Sequence, residues 1–229
     1  MGTRQIVVVG GSHGIGAGIV RKCLGVGAEV TTLCRTRGET AELAGVSHHP
    51  LDLASESIDQ GTLPEVIDGF VYCPGTINLG PLRAVKAEQL RSDFELNVIG
   101  AVLSLQAAMK GLKRSGSASV VMFSTIAVGT GLPMHTSVAA SKGAIEALTR
   151  TWAAELSPKI RVNAIAPGAI LWPESGDTQE NQEEIIRRTP LGRLGDPDDI
   201  AGTVLFLLRD APFITGQVIN VDGGRSAQP

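Results

Sequence analysis

Tyrosine is nearly absent from this chain: a single one, Tyr72, stands among 229 residues, beside two tryptophans and five phenylalanines. An aromatic content of 3% leaves no platform on which nucleic-acid bases could stack. A formal net charge of -3 argues against the basic footprint that nucleic acid or an anionic membrane surface requires. The three cysteines, Cys23, Cys34 and Cys73, lie far apart and are odd in number. Neither a disulfide framework nor a metal site is expected from them, and they read as small buried hydrophobes. No apolar run approaches the roughly 18 residues needed to cross a bilayer, and no signal-like apolar segment precedes the first strand at Gln5. What remains, at 43% hydrophobic and 19% charged residues, is an ordinary globular composition. The expectation is one cytoplasmic domain spanning residues 1–229, with a small molecule as its partner rather than nucleic acid or membrane.

Hydrophobic spacing supplies the architecture. Ile6-Val7-Val8-Val9 is a short β-branched run closed by glycines, as in a strand buried on both faces. Residues Gly14 to Leu24 carry helical spacing and end at Gly25 and Gly27. Further strands are predicted at Val30–Leu33, Val46–Leu51, Gly69–Cys73, Ser119–Phe123, Arg161–Ile165 and Gln217–Val221. Two helical stretches share Ala87–Lys113 and meet near Asn97. Another helix runs from about Val138 to Leu156, stopped by Pro158. The last runs from about Asp198 to Leu208, opened by Pro197 and its acidic neighbours. Strands alternating with helices make an α/β protein with a doubly wound, Rossmann-like, seven-stranded parallel sheet. An irregular stretch begins at Pro167 and leads to a polar helix. Residues 167–190 are the expected substrate loop, since ligand loops follow the carboxyl ends of strands.

The first turn carries the phosphate signal. Gly10, Gly11, Ser12, His13, Gly14, Ile15 and Gly16 join the first strand to the first helix. Glycines let backbone N–H groups approach a pyrophosphate, and the helix start adds partial positive charge. The second strand ends in Cys34 followed by Arg35 and Thr36, where an acid would accept a ribose 2′-hydroxyl and repel a 2′-phosphate. A guanidinium pairs with phosphate and stacks on adenine, so the sequence favours NADP(H) over NAD(H).

These residues resemble the short-chain dehydrogenase/reductase family over essentially the whole chain. Gly10-x-x-x-Gly14-Ile15-Gly16 is similar to its cofactor glycine motif, with Val9 where threonine is usual. Asp52-Leu53 matches the acidic position that touches the adenine amino group, and Cys73-Pro74-Gly75 replaces the family's Asn-Ala-Gly. Asn97 matches the asparagine that holds a relay water, and Thr125 falls at the catalytic serine by its spacing from Lys142. Pro167, Gly168 and Ile170 follow the strand that meets the nicotinamide, and Val221-Asp222-Gly223-Gly224 matches the C-terminal signature. Ala166 to Glu174 and Arg188 to Arg193 are similar to bacterial pteridine reductases. The resemblance implies a homodimer or homotetramer assembled through helices such as those at Leu90–Lys113 and Val138–Leu156.

One position breaks the pattern. The family places a tyrosine four residues before the lysine, where it protonates the reacting oxygen. The lysine lowers the tyrosine's pKa and binds the nicotinamide ribose. Here Val138 precedes Lys142, and a hydrocarbon cannot serve as a general acid. His135, seven residues before Lys142, shares a helical face with both if the helix reaches back that far; Pro133 argues that it does not. Lys142, a water held by Thr125 and Asn97, or a substrate needing little acid are the alternatives. The sequence is therefore read as an NADPH-dependent reductase of a C=O, C=N or activated C=C group with an unusual proton donor. The competing reading is a non-catalytic NADP-binding sensor or silent subunit. Tyr72, His48 and His49 are assigned no chemistry.

Overall fold

A computed structural model describes residues 3–170 and 179–227 of the chain. Seven parallel strands form one sheet in the order β3-β2-β1-β4-β5-β6-β7. They are β1 Gln5–Val9, β2 Glu29–Cys34, β3 Val46–Pro50, β4 Gly69–Tyr72, β5 Ala118–Phe123, β6 Ile160–Pro167 and β7 Val218–Val221. Strand pleating sends successive residues to opposite faces, and β1 shows the result directly. Val7 and Val9 join Phe70, Tyr72, Val120 and Met122 on one face. Ile6 and Val8 join Val71, Val121 and Ile165 on the other. A run without polar alternation therefore sits in a sheet covered on both sides, as its composition predicts.

The first face is covered by α3 and α5, the second by α1 and α7. Their ranges are α1 Gly14–Gly25, α2 Ala87–Phe94, α3 Gly100–Ser115, α4 Ala127–Thr130, α5 Thr136–Leu156, α6 Gln179–Arg187 and α7 Pro197–Arg209. α7 begins where its sequence demands: Pro197 takes the first helical position and Asp196 and Asp199 cap each other reciprocally. The short helix α4 has no forerunner in the sequence pattern. Between β2 and β3 the chain forms only turns.

Two helical stretches do meet at Asn97, and the structure supplies the reason. α2 and α3 are joined by one π turn, Glu95–Ile99. Tyr72, at the end of β4, donates its hydroxyl to the Leu96 carbonyl at 2.6 Å inside that turn. The widened helix is thus held by a side chain from the sheet beneath it, a form of π bulge that often marks a functional site. The strand order reverses between β1 and β4, so the carboxyl ends of these strands flank the crevice where such sheets bind ligands.

Candidate active site

A cavity of about 750 Å³ opens at the carboxyl ends of the strands. Its first wall is the glycine turn after β1. Gly10 has φ +79°, and a Cβ there would sit 3.1 Å from the Pro74 ring. At Gly16 a Cβ would lie 2.0 Å from the Gly10 carbonyl oxygen, so α1 rests directly on the turn. Gly14 differs: with φ +54° it has nothing within 4 Å of a Cβ position and opens into the cavity. The first turn of α1 holds no acidic residue, and the His13 side chain makes no cap hydrogen bond. Amides at this helix start are left to meet an anion, which fits a dinucleotide pyrophosphate.

The end of β2 is tied to the same turn. The Gly11 amide donates to the Cys34 sulfur at 3.1 Å, and Thr40 Oγ1 donates to the Gly11 carbonyl at 3.0 Å. Cys34 is thereby turned inward, while Arg35 and Thr36 are exposed. Arg37 pairs with Glu42, but Arg35 makes no ion pair among the described residues. Ser12 is nearly buried and its hydroxyl lies 3.1 Å from His13 Nδ1. His13, Gly14, Ile15, Cys73 and Gly75 line the cavity; Arg35, Thr36, Asp52 and Leu53 stand outside it, beyond the glycine turn. Asp52 caps its own turn, accepting from the Ala54 amide at 3.1 Å.

The opposite wall is built on α5. Lys142 is 7% exposed, and its ammonium lies 3.1 Å from where a Gly75 Cβ would be. Asn97 Oδ1 lies 3.3 Å from that same point, so a side chain at position 75 would crowd both groups. Burial pulls the Lys142 pKa down to about 8, against a smaller opposing effect of nearby groups including the Asp93 carboxylate. Val138, one turn earlier, is 2% exposed and contributes a hydrocarbon surface to the cavity. Thr125 lines the cavity, its Oγ1 accepting from the Ala127 amide at 3.3 Å.

Two sequence expectations change in detail, those for Asn97 and His135. Asn97 does not line the cavity: its Nδ2 donates to Ser141 Oγ at 2.9 Å and its Oδ1 accepts from the Thr76 amide at 3.1 Å. Its side chain is committed to protein partners and locks the loop after β4 to α5. His135 is not helical but caps α5, which begins at Thr136. Pro133 and Met134, the latter at φ +69°, turn the chain before the helix starts. The shared-face argument therefore fails for His135, yet its ring still lines the cavity, with Nδ1 2.6 Å from the Pro133 carbonyl oxygen. Tyr72, assigned no chemistry from the sequence, donates to the π turn and is not among the residues that line this cavity. His48 sits on edge strand β3 against Thr32 Oγ1 at 3.2 Å.

Two acidic residues escaped the sequence reading. Asp93, fully buried, accepts from Asn78 Nδ2 at 2.6 Å, from Ser137 Oγ at 2.5 Å and from the Thr76 hydroxyl. It joins α2, the loop after β4 and the start of α5 beside His135. Glu146, one turn beyond Lys142, accepts from the cavity-lining Ser124 hydroxyl at 2.7 Å. Glu146 at four residues from Lys142 was a legible signal, since i,i+4 shares a face; Asp93 offered none.

Pro167, Gly168 and Ile170 line the remaining wall with Glu184, Ile185 and Arg188 of the α6 region. Residues 171–178 of the expected substrate loop, including Leu171 to Glu174 of the pteridine-reductase-like run, lie outside the described residues. Among the described residues no cluster of His, Cys, Asp or Glu is arranged to hold a metal, and no helix is long and apolar enough to cross a membrane.

A family model described as enoyl-(acyl carrier protein) reductase matches residues 9–226. An uncharacterised oxidoreductase of Methylorubrum extorquens is 33% identical over 95% of this chain and 96% of its own length. L-xylulose reductase of Bos taurus is 31% identical, covering 96% of each chain. Among solved structures, a short-chain dehydrogenase of Leptospira borgpetersenii with bound NAD+ superposes with a TM-score of 0.84 at 26% identity, over 98% of this chain and 93% of that one.

Proposed function

Because this chain belongs to the short-chain dehydrogenase/reductase family of oxidoreductases, we propose that it is an NADP(H)-dependent reductase whose proton donor is not a tyrosine. Its substrate is a small organic molecule carrying C=O, C=N or activated C=C, with pterin-like compounds included. One observation carries this reading. The cavity keeps a phosphate turn at one end and buried Lys142 at the other, while Val138 fills the phenol's place with hydrocarbon.

Gly10, Ser12, Gly14 and Ile15 receive the pyrophosphate side, and exposed Arg35 with Thr36 receives the 2′-phosphate. Lys142 binds the nicotinamide ribose, and Thr125 orients the polar end of the substrate. When bound, the reduced nicotinamide supplies a hydride. The proton comes from His135, whose ring lines the cavity: with Nδ1–H donating to the Pro133 carbonyl, the imidazolium form gives up the proton on Nε2. A second reading assigns the proton to Lys142, favoured by its pKa of about 8, which makes its ammonium a far better donor than an ordinary lysine. Assembly as a homodimer or homotetramer is part of the proposal, supported by Ile99 and Leu103, 43% and 50% exposed beside the α3 face.

The test is NADPH oxidation, followed by absorbance, over a panel of ketones, imines and pterins. His135→Ala should cut turnover by about 10²-fold, the usual scale for a general acid. A variant that keeps its full rate passes the role to Lys142, whose rate should then fall as pH rises through about 8 and the ammonium is lost. NADPH binding without turnover on any substrate would overturn the reductase reading in favour of a silent binding subunit.

A further inference from the structure

Arg225 lies on the turn after β7 and lines the cavity, half-buried. Its guanidinium makes no hydrogen bond or ion pair among the described residues, unlike Arg188, which lines the cavity but is paired with Glu184 at 2.8 Å. Glu184, paired with Arg188, is the only carboxylate among the described lining residues, and Arg225 and Lys142 are cations among them without a carboxylate ion pair. A half-buried guanidinium that meets no partner among the described residues gains from an anionic ligand in the cavity it lines.

The backbone around Arg225 is fixed on both sides. Asp222 accepts from the Gly224 amide at 3.0 Å and from the Ser226 amide at 2.7 Å. Asn220 Nδ2 donates to the Ser226 hydroxyl at 2.9 Å, and the Leu191 amide donates to the Gly223 carbonyl at 3.1 Å. The guanidinium is therefore carried on a rigid turn, so little backbone entropy is lost when it engages a ligand.

The two cations mark opposite walls. Lys142 stands against Gly75, just past β4, and Arg225 follows β7. These strands are three places apart in the sheet, about 14 Å at the usual strand spacing. Leu132, Val138, Ile170 and Ile185 give the space between them an apolar lining. A ligand that satisfies this wall has an anionic head, an apolar body and its reacting group toward Lys142.

We infer that Arg225 is a specificity-determining residue that receives an anionic group, a carboxylate, on the substrate. The planar fork of a guanidinium matches a carboxylate through two parallel hydrogen bonds. A cofactor phosphate offers the same anionic oxygens, and the test separates the two. The inference deepens the reductase reading and rests on it only for the substrate's role.

Calorimetric titration with matched probes decides it: benzoate against benzamide and hexanoate against hexanamide, each with and without saturating NADPH. In the wild type the carboxylates should bind at least tenfold more tightly than the amides. Arg225→Gln should bring the carboxylates to the amide level while leaving amide and NADPH affinities unchanged; the unchanged amide affinity certifies the variant's fold. Equal binding of acid and amide by the wild type, or no binding of either, overturns the inference. So does an Arg225→Gln variant that loses NADPH affinity and keeps its carboxylate preference, which would assign the guanidinium to the cofactor. Failure of the reductase reading looks different: carboxylate preference persists in a protein that neither binds nor consumes NADPH.

Discussion

Replacing Lys142 by methionine should make the ligand-free protein more stable while weakening its hold on NADPH. Lys142 is 7% exposed, and burial lowers its pKa from 10.5 to about 8. Each pKa unit is about 1.4 kcal/mol of differential interaction, so keeping the ammonium folded at pH 7 costs about 3 kcal/mol relative to its neutral form. That is a large share of the 5–15 kcal/mol by which domains are stable. Methionine has similar length, fills the same space and carries no charge. The sign follows from proton counting. Below about pH 8 both folded and unfolded lysine are protonated, and the penalty is constant. Between about 8 and 10.5 the unfolded state binds more protons, so wild-type stability rises with pH. The advantage of Lys142→Met should therefore be about 3 kcal/mol at pH 7 and shrink to roughly half that at pH 9.5. Urea unfolding of both proteins at the two pH values measures it. A variant less stable than wild type at pH 7, or a difference that does not shrink with pH, would refute the reasoning. NADPH titration of the same variant should show the lost ribose contact as weaker binding.

NADP(H) should bind at least tenfold more tightly than NAD(H), about 1.4 kcal/mol, and Arg35→Ala should remove most of that preference; equal affinities in the wild type would defeat the assignment of exposed Arg35. Val138→Tyr should place a phenol one turn from Lys142 and raise the reduction of simple ketones by about 10²-fold, at a packing cost of about 1–3 kcal/mol read as a lower melting temperature; an unchanged ketone rate would show that the acid is not what limits those substrates. Asp93→Ala strands the donors Asn78, Ser137 and Thr76 and should destabilise the fold by about 3 kcal/mol or more; denaturant unfolding with a loss under 1 kcal/mol would mean these donors find water instead.

Much of this molecule was legible because its signals are local. The run at Ile6 to Val9 announces a strand with no solvent face, and the glycines after it announce a turn that side chains would obstruct; a Cβ at Gly16 would strike the Gly10 carbonyl. The break near Asn97 was visible as a change of helical stretch, but its cause was not. Tyr72 reaches the Leu96 carbonyl from 24 residues away, and no spacing rule connects a strand end to the next helix's interior. Asp93 was unreadable for the same reason: an aspartate on a polar helix looks like a solvated charge until three donors from two other segments surround it. His135 failed differently. A periodicity argument assumes that the helix continues, and the left-handed Met134 beside Pro133 ends it one residue too soon.

The position of Val138 changes what Lys142 is for. In the family pattern the lysine serves a phenol, and its charge lowers the tyrosine's pKa. Here no phenol is present, yet the lysine remains buried against Gly75. The desolvation that makes it costly also makes it a better acid, because an ammonium that is expensive to keep gives up its proton readily. With Val138 beside it, the wall near the reacting group is apolar, which strengthens every remaining charge interaction there. On the second reading, in which Lys142 and not His135 donates, the ammonium is a stronger acid than an ordinary lysine but is held in a wall that offers no phenol as a second donor. A C=N group that arrives protonated as an iminium gives a neutral amine on hydride transfer and asks no acid of this wall, whereas a ketone or a neutral imine leaves an anion that must be protonated. The hydrocarbon at 138, which removes the phenol's proton, therefore favours an iminium over a ketone within the proposed substrate class. A ketone rate that exceeds the imine rate in the wild type would contradict that ordering.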